Sequence, residues 1–259
     1  MKKENYTFCF VFPMGLEARP FLKRAETKRR WKIGHATHRE VFFEGNMILV
    51  VRSGIGFEKA LAATKNVQGR PTFMLSAGTC GALVPDLSPG DILIADETVL
   101  EDNPNERLKC SEVLIKSLER ACSRAGLRYK IGPIATAAKP VFRRAEREKL
   151  SHTSGAYAVD MESHAIAAGA SSIGSSFGVI RVVSDGIESP PLPDRNIIKN
   201  WRSQFHKIPK NIFSLIRWWN FLRIFNSSVK KLDKPLVELT RLGIHPESYE
   251  PSEVESSRQ

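Results

Sequence analysis

Cysteine is scarce in this chain of 259 residues: there are four, and no two of them form a Cys-x-x-Cys pair. This spacing favours neither a zinc site nor the disulfide framework of a secreted protein. Apolar runs of about 18 residues, which a membrane span requires, are also missing. Near the N-terminus, Pro13 interrupts the apolar residues, and Glu17 and Arg19 follow where a signal peptide would carry small residues. We therefore expect a protein of the reducing cytoplasm.

Acidic residues are absent between Arg195 and Lys231, where nine Lys or Arg residues lie within a chain of net charge +11. The same region carries Trp, Phe, Ile and Leu at helical spacing. We predict a catalytic domain over residues 1–193, a basic, aromatic-rich helical extension over 194–246 and a disordered Ser/Glu-rich tail over 247–259. The apolar stripe suits peripheral contact of 195–231 with an anionic membrane better than nucleic-acid binding. Packing against the catalytic domain or a dimer interface is the alternative.

Several common ligand motifs are missing as well. No Gly-Lys-Ser/Thr follows a glycine-rich loop, and the full dinucleotide spacing of glycines does not occur. The six histidines show no metal spacing. His164, in a predicted helix, is expected to be an ordinary helix residue. We predict neither a metal nor an organic cofactor.

Short apolar runs alternate with helical patterns along the first 190 residues. The chain between Tyr6 and Phe12 indicates a buried strand, Gly45-Asn46 indicates a hairpin turn, and Met161–Ala170 indicates a helix. This alternation predicts an α/β fold, a three-layer sandwich whose central mixed β-sheet is flanked by helices. Ligands of such folds lie at the carboxyl ends of the strands.

Two glycine-rich segments follow predicted strands. They are Ser53–Gly56 and Ser76–Ala82. Glycine allows the backbone to approach a ligand closely, and a following helix N-terminus favours an anion or a hydroxyl-rich group. Tight packing at a strand exit explains each segment equally well.

Carboxylates stand at the ends of three predicted strands. Glu17 opens a helix, where the helix dipole alone would explain an acid. Asp160 and Glu162 flank Met161. Asp160 could be an N-cap, whereas Glu162 could accept hydrogen bonds from two sugar hydroxyls. Asp185 follows Ser184 at a strand end. Partial burial would raise its pKa and make it a proton donor, although Ser-Asp-Gly also forms turns.

Taken together, these motifs resemble the nucleoside phosphorylase and nucleosidase family. The resemblance is to the branch with 5′-methylthioadenosine/S-adenosylhomocysteine nucleosidases, futalosine hydrolases and hopanoid-associated nucleosidases. It spans residues 6–188 and rests on Ser76–Leu83, Asp160-Met161-Glu162 and Ser184-Asp185. It implies an enzyme that cleaves the N-glycosidic bond of an adenine-type purine nucleoside.

The resemblance also implies roles for individual residues. Asp185 would protonate N7 of the base, and Glu17 would activate water. The substrate-binding residues would be Thr79, Cys80, Gly81, Val141, Phe142, Met161, Glu162 and Ser184. Val141 and Phe142 fall where the family packs the base, although Lys139 and Pro140 before them depart from its commoner residues.

The nucleophile and the setting of the reaction stay open at this point. Phosphorolytic relatives bind phosphate through arginines and glycine loops, and Gly15, Arg19 and Arg52 have a comparable arrangement. We favour hydrolysis over phosphorolysis, with adenosylhopane the leading lipid-linked substrate. The alternative hypothesis is a membrane- or partner-binding scaffold without activity. Related enzymes bury the site near a subunit interface, so we expect a homodimer.

Overall fold

The computed structural model describes residues 6–188 and 212–244, with side chains for 6–188 and 223–244. Its strands are β1 (Phe8–Phe12), β2 (Glu26–Ile33), β3 (Ala36–Phe43), β4 (Asn46–Arg52), β5 (Phe73–Ala82), β6 (Ile92–Leu100), β7 (Arg107–Lys109), β8 (Tyr129–Thr136), β9 (Ala158–Asp160) and β10 (Ser176–Asp185). Its helices are α1 (Gly15–Leu22), α2 (Phe57–Lys65), α3 (Glu112–Arg124), α4 (Arg144–Ser154), α5 (Ser163–Ser172) and α6 (Ile212–Leu242).

All ten strands belong to one mixed sheet, in the order β10-β6-β8-β9-β5-β1-β4-β3-β2, with β7 beside β6. Strand β10 also pairs with β5, so that β5, β9, β8, β6 and β10 close on themselves. Strands β1, β4, β5 and β10 run parallel, which brings their carboxyl ends to one edge. Helices α1, α3 and α6 pack on one face, and α2 and α5 pack on the other. The predicted three-layer sandwich is confirmed.

The predicted hairpin joins β3 to β4, but its turn is shifted by one residue. Phe43 pairs with Asn46, so the two turn residues are Glu44 and Gly45. Both have positive φ, at 49° and 76°, as a tight turn compatible with the strand twist requires. Strand β2, which pairs with β3, was not predicted because its exposed, charged residues show no apolar alternation.

The glycine segment Ser76–Ala82 differs from its prediction as a loop before a helix. It forms the second half of strand β5, and β6, not a helix, is the next element. Gly78 is required there because a Cβ would collide with the guanidinium of Arg181 and lie 3.0 Å from Oε1 of Glu17. The glycines therefore make room for side chains that cross the strand.

Helix α6 is anchored to the sheet and to helices α1 and α3 along its C-terminal half. Phe225, Val229, Leu232, Leu236 and Leu239 are buried in this part of the helix. Asp233 pairs with Arg24 at 2.6 Å, and Arg241 pairs with Glu44 at 3.0 Å. The boundary at Pro193 stays a prediction, and most of the predicted membrane-binding segment, together with the tail 247–259, lies outside the residues whose side chains are described. In the described part of the chain, no helix has both the length and the apolar character to cross a membrane.

We predict that Leu232→Ala lowers the free energy of unfolding by about 2–5 kcal/mol, because the truncation leaves a cavity in a fully buried site. Ile224→Ala, at a position that is 38% exposed on the same helix, is the matched control and should change stability by less than about 1 kcal/mol. Urea denaturation measures both. Equal effects would show that α6 does not belong to the cooperative core.

Candidate active site

A cavity of about 200 Å³ opens at the edge where the parallel strands end. Ten residues that the sequence assigned to the reaction or to substrate binding line this cavity: Glu17, Thr79, Cys80, Gly81, Val141, Phe142, Met161, Glu162, Ser184 and Asp185. They come from strands β5 and β10, helix α1, the turn after β8 and the short segment between β9 and α5. The strand ends bring together positions up to 168 residues apart, from Glu17 to Asp185.

Glu17 is held rigidly at the start of α1. Its side chain is 3% exposed and accepts hydrogen bonds from the backbone N–H of Met14 (2.9 Å) and from the N–H and hydroxyl of Thr79 (2.8 and 2.9 Å). Burial raises the pKa of Glu17, although Arg181 and the bonds from Thr79 act in the opposite direction. A carboxylate of raised basicity in a cavity is suited to accept a proton.

Arg181, in β10, does not line the cavity but pairs with Asp160, which does, and it was missed in the sequence. It is fully buried, contacts Asp160 at 2.6 Å and donates to the hydroxyls of Ser76 (2.8 Å) and Ser163 (2.9 Å). Within residues 6–188 and 212–244, its Nη1 has no hydrogen-bond partner. The available signal was a charged residue inside an otherwise apolar strand, since a buried charge must be paired.

Asp160 organises the start of α5. One carboxylate oxygen accepts from Thr136 Oγ1 at 3.0 Å and from the backbone N–H groups of Glu162 and Ser163 at 3.2 Å. The other oxygen contacts Arg181. The N-cap of α5 is therefore Glu162, not Asp160, but Asp160 accepts from the N–H groups at the start of the helix and also neutralises the buried guanidinium.

Glu162 connects the Asp160-Met161-Glu162 motif with the glycine segment Ser53–Gly56. Its Oε1 accepts a hydrogen bond of 2.8 Å from the N–H of Gly56, in the glycine loop before α2. The side chain is 6% exposed, and burial, followed by the charge of Asp160, raises the pKa of Glu162 to about 8. With its pKa raised in this way, the Glu162 carboxyl can carry a proton and then both donate and accept hydrogen bonds.

Asp185 lies at the end of β10 with both carboxylate oxygens engaged. Ser184 Oγ donates to Oδ1 at 2.6 Å, and the guanidinium of Arg147, from α4, contacts Oδ2. Arg147 was also missed, because nothing in a charged, surface-type helix sequence marks one arginine as buried.

The remaining wall of the cavity is mostly apolar. Pro140, Val141 and Phe142 form one side, after β8, together with Lys139. Met14, Ile55 and Phe225 line it as well, and Phe225 comes from α6. The sequence placed Phe225 in the C-terminal extension and gave no reason to connect it with the site.

The residues suggested for phosphate binding lie elsewhere. Gly15, Arg19 and Arg52 do not line the cavity. Arg52 donates from Nη2 to Thr37 Oγ1 at 3.0 Å, and its side chain passes next to Gly15. His164, also outside the cavity, is buried, and its Nδ1 lies 3.0 Å from Thr98 Oγ1.

Comparison with known proteins extends this picture. The sequence profile of the Phosphorylase superfamily matches residues 7–213. A 5′-methylthioadenosine/S-adenosylhomocysteine nucleosidase of Geobacillus thermodenitrificans is 28% identical over 55% of this chain and 68% of its own length. The corresponding protein of Actinobacillus succinogenes is 29% identical over 61% of this chain and 76% of its own length.

Solved structures share the fold at lower identity. The 5′-methylthioadenosine/S-adenosylhomocysteine nucleosidase of Neisseria meningitidis, in complex with methylthio-immucillin-A, superposes with a TM-score of 0.75 at 20% identity and covers 92% of this chain and 99% of its own. Futalosine hydrolase of Helicobacter pylori gives a TM-score of 0.73 at 19% identity, over 92% of this chain and 97% of its own.

The raised pKa of Glu162 predicts a pH-dependent stability. Folding favours the protonated carboxyl, so this contribution is complete below the ordinary pKa of Glu and is lost as the pH rises to about 8. Glu162→Gln keeps an acceptor for Gly56 but cannot ionise. We expect its free energy of unfolding to exceed that of the wild type by an amount that grows with pH up to about 8, by at most about 1.4 kcal/mol per pH unit.

Urea denaturation at several pH values between 5 and 9 measures this difference. Glu58→Gln, an exposed change on the neighbouring helix α2, serves as the control and should show little pH dependence. If the free energies of unfolding of the wild type and Glu162→Gln differ by the same amount across this range, the pKa of Glu162 is not raised by burial.

Proposed function

The chain belongs to the Phosphorylase superfamily, and from that premise we propose that it hydrolyses the N-glycosidic bond of an adenine-type purine nucleoside. The observation that carries the proposal is the pairing, in one cavity, of a buried Glu17 of raised pKa with Asp185 at the end of β10. The first is suited to accept a proton from water, and the second is placed to supply one to the leaving base.

The leaving group requires a proton because bond cleavage leaves an electron pair on the purine. In the proposed reaction, Asp185 transfers its proton to N7 as the bond between C1′ and N9 breaks. General acid assistance of this kind contributes about 10²- to 10⁴-fold. Val141 and Phe142 line the same side of the cavity and supply apolar surface for the flat base.

The ribose is assigned to the acidic side of the cavity. Glu162 and Met161 line it there, and Glu162 can exchange hydrogen bonds with two sugar hydroxyls. Positive charge develops on the sugar in the transition state, and carboxylates fixed nearby stabilise that charge. Ordered donors such as the N–H of Gly56 hold the carboxyl in place before the substrate arrives.

Water is favoured over phosphate by the charges around the site. Glu17, Asp160, Glu162 and Asp185 line the cavity, and Arg147 and Arg181 are already paired with Asp185 and Asp160. An anionic nucleophile would be repelled there, whereas a neutral water can donate a hydrogen bond to Glu17. Water then delivers its hydroxyl to C1′ and its proton to Glu17.

The group at the 5′ position is proposed to be large and apolar. Met14, Ile55 and Phe225 line the cavity, and Ile55 is 44% exposed beside its opening. A lipid-linked nucleoside such as adenosylhopane fits an apolar, open end better than a charged 5′ substituent does. A homodimer is proposed as the assembly, as in the resemblance already described.

Peripheral contact with an anionic membrane would bring such a substrate to the cavity. Within residues 195–231, Arg223 and Lys230 are exposed on α6, near the point where Phe225 enters the cavity. Residues from Phe225 onward pack against the domain, so we confine the proposed membrane contact to residues before Phe225 and to cations on the exposed side of α6. Contact of this kind also fits a cytoplasmic location at the inner membrane surface.

Hydrolysis is tested by incubating purified protein with 5′-methylthioadenosine, with and without phosphate, and identifying the products. We expect free adenine and a free sugar, at a rate independent of phosphate. Asp185→Asn should reduce turnover about 10²-fold or more, and Glu17→Gln should abolish it while substrate binding is largely kept. The exposed change Glu112→Gln is the control.

A sugar 1-phosphate product, or strict dependence on phosphate, would show phosphorolysis and direct attention to Arg19 and Arg52. Turnover at the wild-type rate by Asp185→Asn would remove the proposed role of Asp185. Absence of any nucleoside cleavage by the wild type, with adenosylhopane as a further substrate, would favour a binding scaffold without activity.

Membrane contact is tested by flotation with vesicles that contain anionic phospholipid. The double variant Arg223→Gln/Lys230→Gln should bind roughly thirtyfold more weakly than the wild type at low salt, since each cation near the surface contributes about 1 kcal/mol. Lys116→Gln/Arg120→Gln, which removes two exposed cations from α3, is the matched control. Binding by the wild type should also weaken at high salt. If the wild type does not float under any salt condition, no membrane contact occurs.

A further inference from the structure

Arg147 is the most deeply buried charge next to the proposed proton donor. It lies in the first turns of α4, whose sequence is otherwise that of an exposed helix, and it is 3% exposed. Burying a guanidinium is unfavourable unless its donors are satisfied and its charge is paired. The contacts of Arg147 therefore indicate what its burial accomplishes.

The guanidinium binds three separate segments of the chain around the cavity. It donates to the carbonyl of Val141 at 3.0 Å and to the carbonyl of Gly186 at 2.9 Å, and it approaches the carbonyl of Ala82 at 3.4 Å. Nη2 forms the ion pair with Asp185. One side chain thus links the turn that faces the base, the end of β5 and the strand end that carries the acid.

The two oxygens of Asp185 are held differently. Oδ2 faces the guanidinium of Arg147, which cannot accept a proton or a hydrogen bond. Oδ1 faces Ser184 Oγ at 2.6 Å, and the same hydroxyl lies 3.1 Å from the carbonyl of Cys80. A hydroxyl has one proton to donate. When it donates to Cys80, Oδ1 is free to carry the proton that the base receives.

The guanidinium of Arg147 also matters after the proton has left. The carboxylate that forms on Asp185 stays paired with a cation that cannot itself accept a proton. A guanidinium beside a carboxyl stabilises the ionised form of that carboxyl.

We propose that Arg147 is a positioning residue for the reaction: it locks Oδ2 of Asp185, leaves Oδ1 as the proton-donating oxygen and sets the upper end of the active pH range. This inference rests on the proposed function for its chemistry. During cleavage the proton passes from Oδ1 to N7, and the electron pair of the glycosidic bond passes to the base. The carboxylate that remains on Asp185 is paired with Arg147. Glu17 takes one proton from water, so the total charge of the two carboxyl groups is the same before and after cleavage.

Other charged and titratable groups around Asp185 are part of the same setting and are unchanged in the variants below. The groups that line the cavity come from α1, β5, the turn after β8, the end of β9 and the start of α5, and are Glu17, Cys80, Lys139, Asp160 and Glu162. Arg181 of β10 is buried and pairs with Asp160. Because they are common to every variant, a difference between variants reports on residue 147 alone.

The test compares Arg147→Gln, Arg147→Lys and the wild type by the pH dependence of kcat/KM for nucleoside cleavage. Arg147→Gln removes the charge and should move the alkaline limb upward by about one pH unit or more. Arg147→Lys keeps the charge but cannot reach the carboxylate and all the carbonyls together. We expect its limb to stay near that of the wild type while KM rises about tenfold or more, since the turn that faces the base is no longer fixed.

Arg144→Gln is the matched control. This arginine stands one turn earlier on α4, is exposed and pairs with Glu148 and Glu188 outside the cavity. Its loss should move neither the limb nor KM. Circular dichroism and thermal unfolding of all variants identify any that do not fold; if Arg147→Gln is among them, an unchanged KM in Arg147→Lys overturns the proposal.

A second measurement does not depend on activity. Carbon-13 NMR of protein labelled at the aspartate carboxyl carbons, with the signal of Asp185 assigned by its loss in Asp185→Asn, follows the titration of this group directly. The midpoint should lie higher in Arg147→Gln than in the wild type and should not move in Arg144→Gln. An unchanged midpoint in Arg147→Gln overturns the role of Arg147 even if the enzyme is active, whereas failure of hydrolysis with a shifted midpoint rejects only the proposed function.

Discussion

The buried ion pair between Arg181 and Asp160 is the constraint on which the site depends. Arg181 has no exposed surface, so its charge must be balanced within the sheet, and Asp160 balances it at 2.6 Å. Asp160 at the same time accepts a hydrogen bond from the N–H of Ser163, the first residue of α5. The pair consequently fixes the end of β9, the start of α5 and the centre of β10 relative to one another, and the rest of the site is assembled on these three elements.

One cation cannot balance all the acids that surround it. Arg181 lowers the pKa of both Glu17 and Glu162, yet burial outweighs this effect in each, and the pKa of both is raised. The pKa of both groups is raised because the fold gathers these carboxylates at buried positions, Glu17 being 3% and Glu162 6% exposed. The unfavourable burial of Glu162 is a local loss of stability at alkaline pH that the surrounding core must offset.

The sequence was sufficient to predict those features of the fold and the site that depend on residues close together in the chain. Strand and helix alternation predicted the layers, and acids at strand ends predicted Glu17, Glu162 and Asp185 as neighbours. Arg147 and Arg181 could not be predicted, because their partners lie 38 and 21 residues away and only the tertiary fold brings them together. The glycines of β5 were predicted to form a loop. Gly78 is needed in the strand to make room for Arg181, and Arg181 belongs to β10, far along the chain.

The distribution of charge separates the surface of this protein from its cavity. The chain as a whole carries a net charge of +11, which attracts anions to the surface. Inside the cavity the balance is reversed, since the acids outnumber the cations and both guanidiniums nearest to them are paired. Attraction at long range and repulsion at the reacting atoms are compatible with a protein that approaches an anionic surface but excludes an anion from the site. In the proposed reaction a neutral nucleoside and water would meet no such barrier, and the positive charge that develops on the ribose would be stabilised by the same acids that would repel phosphate.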